Sequence, residues 1–236
     1  MERVTVNRRP PSPSTSPRPT EERGDCAVKI LLVSESGVAR GPLAKAFLES
    51  ALSSCCDGRV RVEARASRDY CEGEAAHEAA LALAPIEGDA KGGRYAAKVL
   101  DLHADALDSD LVLCMDKFTA EDVMKEFSMH ELSLAEAREE DLLTARTRLL
   151  GDFLGEGEDN QIDDPLYGNL GGAEEAEEVR RCAERIEAAC LGLASAIRSS
   201  LLVQDSDPAS RRRALVSGLR DSHLGALLPP MLKAKP

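Results

Sequence analysis

AVKILLVSESGVARGPLAKAFLESALSS, residues 27–54, is in succession an apolar run, a loop of small and polar residues, and an amphipathic stretch. Ala27 to Val33 is apolar apart from Lys29 and rich in branched side chains, which predicts an interior strand of an α/β sheet. Leu43, Ala46, Phe47, Ser50 and Ala51 recur at helical spacing, and Pro42 suits a first helical turn, where a missing N–H is no loss. Ser34 to Gly41 (SESGVARG) must then carry the chain from strand to helix. The backbone N–H groups of Glu35, Ser36, Gly37, Val38, Ala39 and Arg40 are expected to face inward and add to the positive end of the helix dipole, which makes a cradle for an anion. Arg40 supplies a planar fork suited to two phosphate oxygens. Taken alone, the loop also reads as an ordinary small-residue turn, so the rest of the chain has to decide.

Outward from this unit, strand and helix patterns alternate. Arg59 to Ala66 (RVRVEARA) reads as a second strand, Ala75 to Leu83 as a helix and Pro85 to Gly93 as a turn-rich connection. After a mixed segment from Ala96 to Leu107, Leu111 to Met115 (LVLCM) reads as a short interior strand closed by Asp116. Thr119 followed by Asp122 marks a helix start, supported by Val123, Met124 and Phe127, and Glu131 to Leu150 is expected to hold one or two further helices. Gln161 to Gly168 (QIDDPLYG) contains Asp164-Pro165, a pair common in surface turns. From about Ala173 to Leu202, Val179, Cys182, Ile186, Ala189, Leu193, Ala196 and Ile197 form one apolar stripe, which predicts a long helix packed on the sheet. Such alternation implies a parallel sheet.

Composition narrows the function classes. The chain has 236 residues and 43% hydrophobic content, enough for one generous domain with tails. Aromatic residues make up only 3%, Trp is absent, and 30 basic against 42 acidic residues give a formal charge of −12. Neither stacking platforms nor a basic face for nucleic acid is present in that balance. Apolar runs are too short to span a membrane. The seven cysteines, Cys26, Cys55, Cys56, Cys71, Cys114, Cys182 and Cys190, show neither a C-x-x-C pair nor a His at metal spacing, which favours reduced, mostly buried thiols and neither metal nor cofactor. Residues 1–26 lack apolar periodicity and carry Pro, Arg, Ser and Thr, so a disordered tail is expected. An organelle transit peptide for plastid or mitochondrion is the alternative, but Glu2, Glu21, Glu22 and Asp25 speak against it and for a cytoplasmic setting. Residues 204–236, with Arg211, Arg212 and Arg213 in a row, read as a C-terminal extension.

Residues 27–203 resemble the low-molecular-weight protein tyrosine phosphatases, whose signature is a strand, Cys, five residues, Arg, Ser or Thr, and Pro at the helix start. The frame here runs Ser34, Glu35, Ser36, Gly37, Val38, Ala39, Arg40, Gly41, Pro42. The tail of LDSDLVLCMD is similar to the family's third strand, and Asp164, Pro165, Tyr167 and Gly168 match the family's Asp-Pro motif at the end of its fourth strand. The resemblance implies a three-layer α/β domain with a four-stranded parallel sheet, as in phosphotyrosine protein phosphatase I. It implies a general-acid role for Asp164 and a place at the pocket mouth for Tyr167. The departures form one group: Ser34 stands where the family has its nucleophilic Cys, Gly37 where it has a bracing Asn, Ala39 where many relatives have a second Cys, and Gly41 where a hydroxyl steadies the thiolate. A helix N-terminus and an Arg can hold a thiol as thiolate near neutrality, but an alcohol is far too weak an acid for the same field, and no His lies in or next to the loop.

The function expected from this resemblance is a catalytically impaired pseudophosphatase that binds phosphate, a phosphotyrosine protein or a small phosphate ester. An active phosphomonoesterase needs a base not found in the loop, and thioredoxin-coupled arsenate reduction begins with the missing Cys. An interaction scaffold with a vestigial cradle is the third class. Between Glu156 and Glu178 there are nine acidic residues and no basic one, a field that opposes a phosphorylated ligand if this segment lines the mouth.

Overall fold

The computed structural model describes residues 28–53, 60–87, 93–133, 143–155, 157–168 and 171–201. The two tails, Cys26, Cys55, Cys56 and residues 134–142, part of the stretch expected to hold further helices, lie outside them.

Strand β1 (Val28–Ser34) leads into α1 (Arg40–Leu52), then β2 (Val60–Ala66), a single helical turn α2 (Glu78–Leu81), β3 (Leu111–Cys114), α3 (Lys117–Glu131), β4 (Thr147–Leu149) and the long α4 (Ala173–Leu201). The four strands make one parallel sheet in the order β2-β1-β3-β4. Successive side chains of β1 point to opposite faces, so one strand feeds two cores. Ile30 and Leu32 pack with Leu43, Leu48, Ile186 and Leu193 under α1 and α4. Leu31 and Val33 pack with Val112, Val123, Phe127 and Leu149 under α3. That is the three-layer α/β arrangement, and the β1 neighbours β2 and β3 depart in opposite directions, which leaves a crevice at the carboxyl end of β1. No helix among the described residues is long and apolar enough to cross a membrane.

Four sequence expectations change in detail. The apolar face of α1 is Leu43, Ala44, Leu48 and Leu52, with Ser50 exposed, because Arg40, Gly41 and Pro42 are themselves buried and rotate the inward face. The helix expected over Ala75–Leu83 shrinks to α2, capped by the His77 ring and closed within one turn. Helix α3 starts at Lys117, not near Thr119, because the Asp116 carboxylate accepts the Thr119 N–H at 2.7 Å and sets the cap there. The fourth strand is β4, inside the stretch read as helical, whereas residues 161–164 form an irregular segment. Three residues are too few to show a period, and buried Arg148 breaks the apolar pattern that marks an interior strand.

Candidate functional site

The loop after β1 is held by its carbonyl oxygens. Ser67 and Arg68 donate N–H bonds to the Ser34 and Glu35 carbonyls at 2.9 and 3.0 Å, and the His77 N–H reaches the Val38 carbonyl at 2.8 Å. The Leu43 N–H donates to the Ala39 carbonyl at 3.2 Å, and the Tyr95 hydroxyl donates to the Gly37 carbonyl at 2.5 Å. Among the described residues, the N–H groups of Glu35, Ser36, Gly37, Val38, Ala39 and Arg40 find no acceptor. Helix α1 has no side-chain cap either, since Ala39 occupies that position. Buried amides are ordinarily paired, so a run of unpaired ones at a helix N-terminus has the form of a nest, open to an acceptor from outside the described residues. Gly37 makes the curvature possible: its φ of 75° is the left-handed region, and a Cβ there would lie 3.0 Å from the Ala66 methyl.

Ser34 is buried at the base of the nest, where its hydroxyl oxygen accepts the Gly41 N–H at 3.2 Å. A side chain at position 41 would crowd it, since a Cβ built there comes 2.9 Å from the Ser34 Oγ. None of the described histidines serves Ser34: His77 caps α2 and pairs with Glu175 at 3.2 Å, while His103 and His130 pack edge to face.

Arg40 is only 2% exposed, and its fork is turned to internal partners. Nη1 donates to the Asp116 carboxylate and, at 2.8 Å, to the Ile162 carbonyl; Nη2 donates to Asp164 Oδ2 at 2.7 Å. Burial works to lower its pKa, but Asp164 and then Asp116 outweigh it and hold the guanidinium above its ordinary range. Asp164 is fixed in turn by its other oxygen, which accepts the Leu166 N–H at 3.0 Å. The arginine and the Asp-Pro aspartate, 124 positions apart in sequence, are therefore brought into direct contact. With Asp116 they form one cation between two carboxylates.

Tyr70 is 60% exposed; its hydroxyl pKa is pushed up to about 12 by partial burial, then by the charges of Glu35 and Asp164. Tyr167, 87% exposed, stands past Asp164 on the rim of a cavity of about 500 Å³ that Cys182, Arg181 and Arg185 of α4 also line. Burial raises the Cys182 thiol to about 12, so it stays protonated near neutrality. Sequence reasoning missed the part played by Asp116, Tyr70 and Tyr95. Asp116 was visible as the residue closing β3, yet its partner lies 76 positions away; Tyr95 sits in a segment without periodicity and gave no signal.

No curated protein sequence matches the chain. Solved structures with the same fold include a protein tyrosine phosphatase from Entamoeba histolytica with Hepes in its active site, at 16% identity and a TM-score of 0.56 over 73% of this chain and 97% of that one. YfkJ from Bacillus subtilis aligns at 20% identity and a TM-score of 0.56, over 75% and 98% of the two chains. DARP, the drosophila arginine phosphatase, aligns at 19% identity and a TM-score of 0.52, over 76% and 100%. The sequence model for low molecular weight phosphotyrosine protein phosphatases matches residues 29–203, from β1 through the end of α4, and by that match the chain belongs to this family.

Proposed function

We propose that this chain is a catalytically impaired member of its family, a pseudophosphatase that binds phosphate or a phosphotyrosine without hydrolysing it. The observation that carries the reading is the nest: the carbonyls of Ser34, Glu35, Gly37, Val38 and Ala39 are taken up by internal donors while the amides of residues 35–40 find no acceptor among the described residues. Six such groups at a helix N-terminus favour an anion whatever its chemistry. Catalysis needs more. Ser34 stands at the sequence position of the family's attacking residue with its oxygen accepting a backbone N–H, and no imidazole or carboxylate of a described residue is bonded to it. A hydroxyl so placed lacks the base that would activate it. Asp164, the residue matching the family's general acid, is engaged by Arg40 as an acceptor, which is the ionised role and not that of a proton donor.

The same triad favours one second reading. With three of its bonds spent on Asp116, Ile162 and Asp164, Arg40 uses most of the five N–H groups of a guanidinium inside the protein, as a vestigial site serving as a scaffold would. The experiment that tests the principal reading is hydrolysis of para-nitrophenyl phosphate by the wild type and by Ser34→Cys. The wild type should show no turnover above background, and the Cys variant should gain activity if the cradle is otherwise competent. Wild-type turnover of the order usual for phosphatases, about 1 per second or faster, would overturn the impaired-enzyme reading.

A further inference from the structure

We infer that Asp164 is a built-in plug of the cradle, so that the Arg40–Asp164 pair and a bound phosphate exclude one another; this rests on reading the loop as a phosphate site. Charge supplies the first part of the argument. Arg40 is the guanidinium at the N-terminus of α1, and Asp116 and Asp164 both contact it, so the buried cluster carries a net negative charge before any ligand arrives. The charges of Glu35 and Asp164 both raise the Tyr70 hydroxyl pKa, so both lie within electrostatic reach of it. A phosphate dianion entering the nest gains the amides but meets a neutralised arginine and an uncompensated carboxylate. In a buried site such a like charge is scarcely screened.

The two carboxylates are not equivalent. Asp116 is built into the fold, since its other oxygen caps α3 through the Thr119 N–H. Asp164 is attached to a local turn only, through the Leu166 N–H. The chain before it is pinned: Ile162 donates its N–H to the Met115 carbonyl at 3.0 Å, and Gln161 accepts the Lys117 N–H on its side chain at 2.8 Å. Beyond Ile162, Asp163 is exposed and its carbonyl accepts from the Cys182 thiol at 3.7 Å, Pro165 is buried, and Gly168 has a φ of 76°. Behind Asp164 lies the 500 Å³ cavity whose walls carry Arg181 and Arg185. The same walls also carry Asp159, Asp163 and Glu178; Glu178 pairs with Arg181, while Arg185 donates to the carbonyls of Asp159 and Gln161. The Asp164 carboxylate thus either sits on Arg40, closing the cradle, or swings off it, leaving the Arg40 fork to a phosphate.

The test is calorimetric titration of the full chain with inorganic phosphate for the wild type, Asp164→Asn and Asp164→Ala. Asn keeps an oxygen for the Leu166 N–H, so its fold is the safer control. Both variants should bind phosphate at least about tenfold more tightly than the wild type, the scale of one charge-assisted hydrogen bond restored to the ligand. Equal or weaker binding by the variants, with the wild type binding measurably, overturns the plug and leaves the cradle intact. Binding by none of the three overturns the phosphate reading itself, and the plug with it.

Discussion

Asp116 is where the site and the fold are joined, and truncating it tests both. Its Oδ1 accepts the Thr119 N–H at the start of α3, and its Oδ2 accepts from the buried Arg40. Loss of a helix cap costs about 1 kcal/mol. Asp164 and the Ile162 carbonyl remain on Arg40, so no charge is left without compensation, and losing one buried charge-assisted hydrogen bond costs about 1.5 to 3 kcal/mol. Asp116→Ala should therefore cost about 3 kcal/mol in all. Against a typical domain stability of about 5–15 kcal/mol, that is a large fraction. Asp116→Asn keeps a cap of equal quality and loses only the charge, so it should fall about 1 kcal/mol short of the Ala effect. Urea unfolding followed by far-ultraviolet circular dichroism gives both values from the shift in midpoint at constant slope. A cost for Ala of no more than about 1 kcal/mol, the cap alone, would refute the buried Arg40–Asp116 pair.

Gly37→Ala should destabilise the protein by about 1 to 2 kcal/mol, since a side chain is disfavoured at positive φ, and its methyl would meet Ala66 at 3.0 Å; an unchanged midpoint in the same urea assay would argue against this loop geometry. Tyr95→Phe removes one hydrogen bond to the Gly37 carbonyl and should cost about 1 kcal/mol, with phosphate affinity falling as the loop loosens; unchanged stability and affinity together would remove Tyr95 from the site. Tyr70 should ionise only near its raised pKa of about 12, and Glu35→Gln, which deletes the charge and keeps an acceptor oxygen, should lower that value in an ultraviolet titration of tyrosinate. No change on substitution would separate Tyr70 from the loop.

The fold was legible where the pattern was long. β1, the loop and α1 follow from one continuous change of period between residues 28 and 52, and the 29-residue α4 from a stripe that recurs from Val179 to Ile197, about five turns. β4 was illegible because it has three residues, one of them a buried arginine. At the site, the loop amides and Arg40 could be named from the frame of small residues, but not the direction in which Arg40 points. That direction is set by Asp116 and Asp164, and contacts across 76 and 124 positions leave no trace in local periodicity. The acidic stretch from Glu156 to Glu178 was legible as a charge run, yet its pairing was not: Glu177 meets Arg180, Glu178 meets Arg181 and Asp164 meets Arg40.

The central claim, a cradle that binds a phosphate and does not cleave it, is tested most directly by titrating the protein with phenyl phosphate while recording its amide nitrogen–proton spectrum and the phosphorus spectrum of the same sample. The amides of Glu35 to Arg40 should shift to saturation, because they are the groups that lack an acceptor, and no inorganic phosphate should appear. Release of inorganic phosphate at an enzymatic rate, or saturation of the ligand without any shift in those amides, would contradict the account.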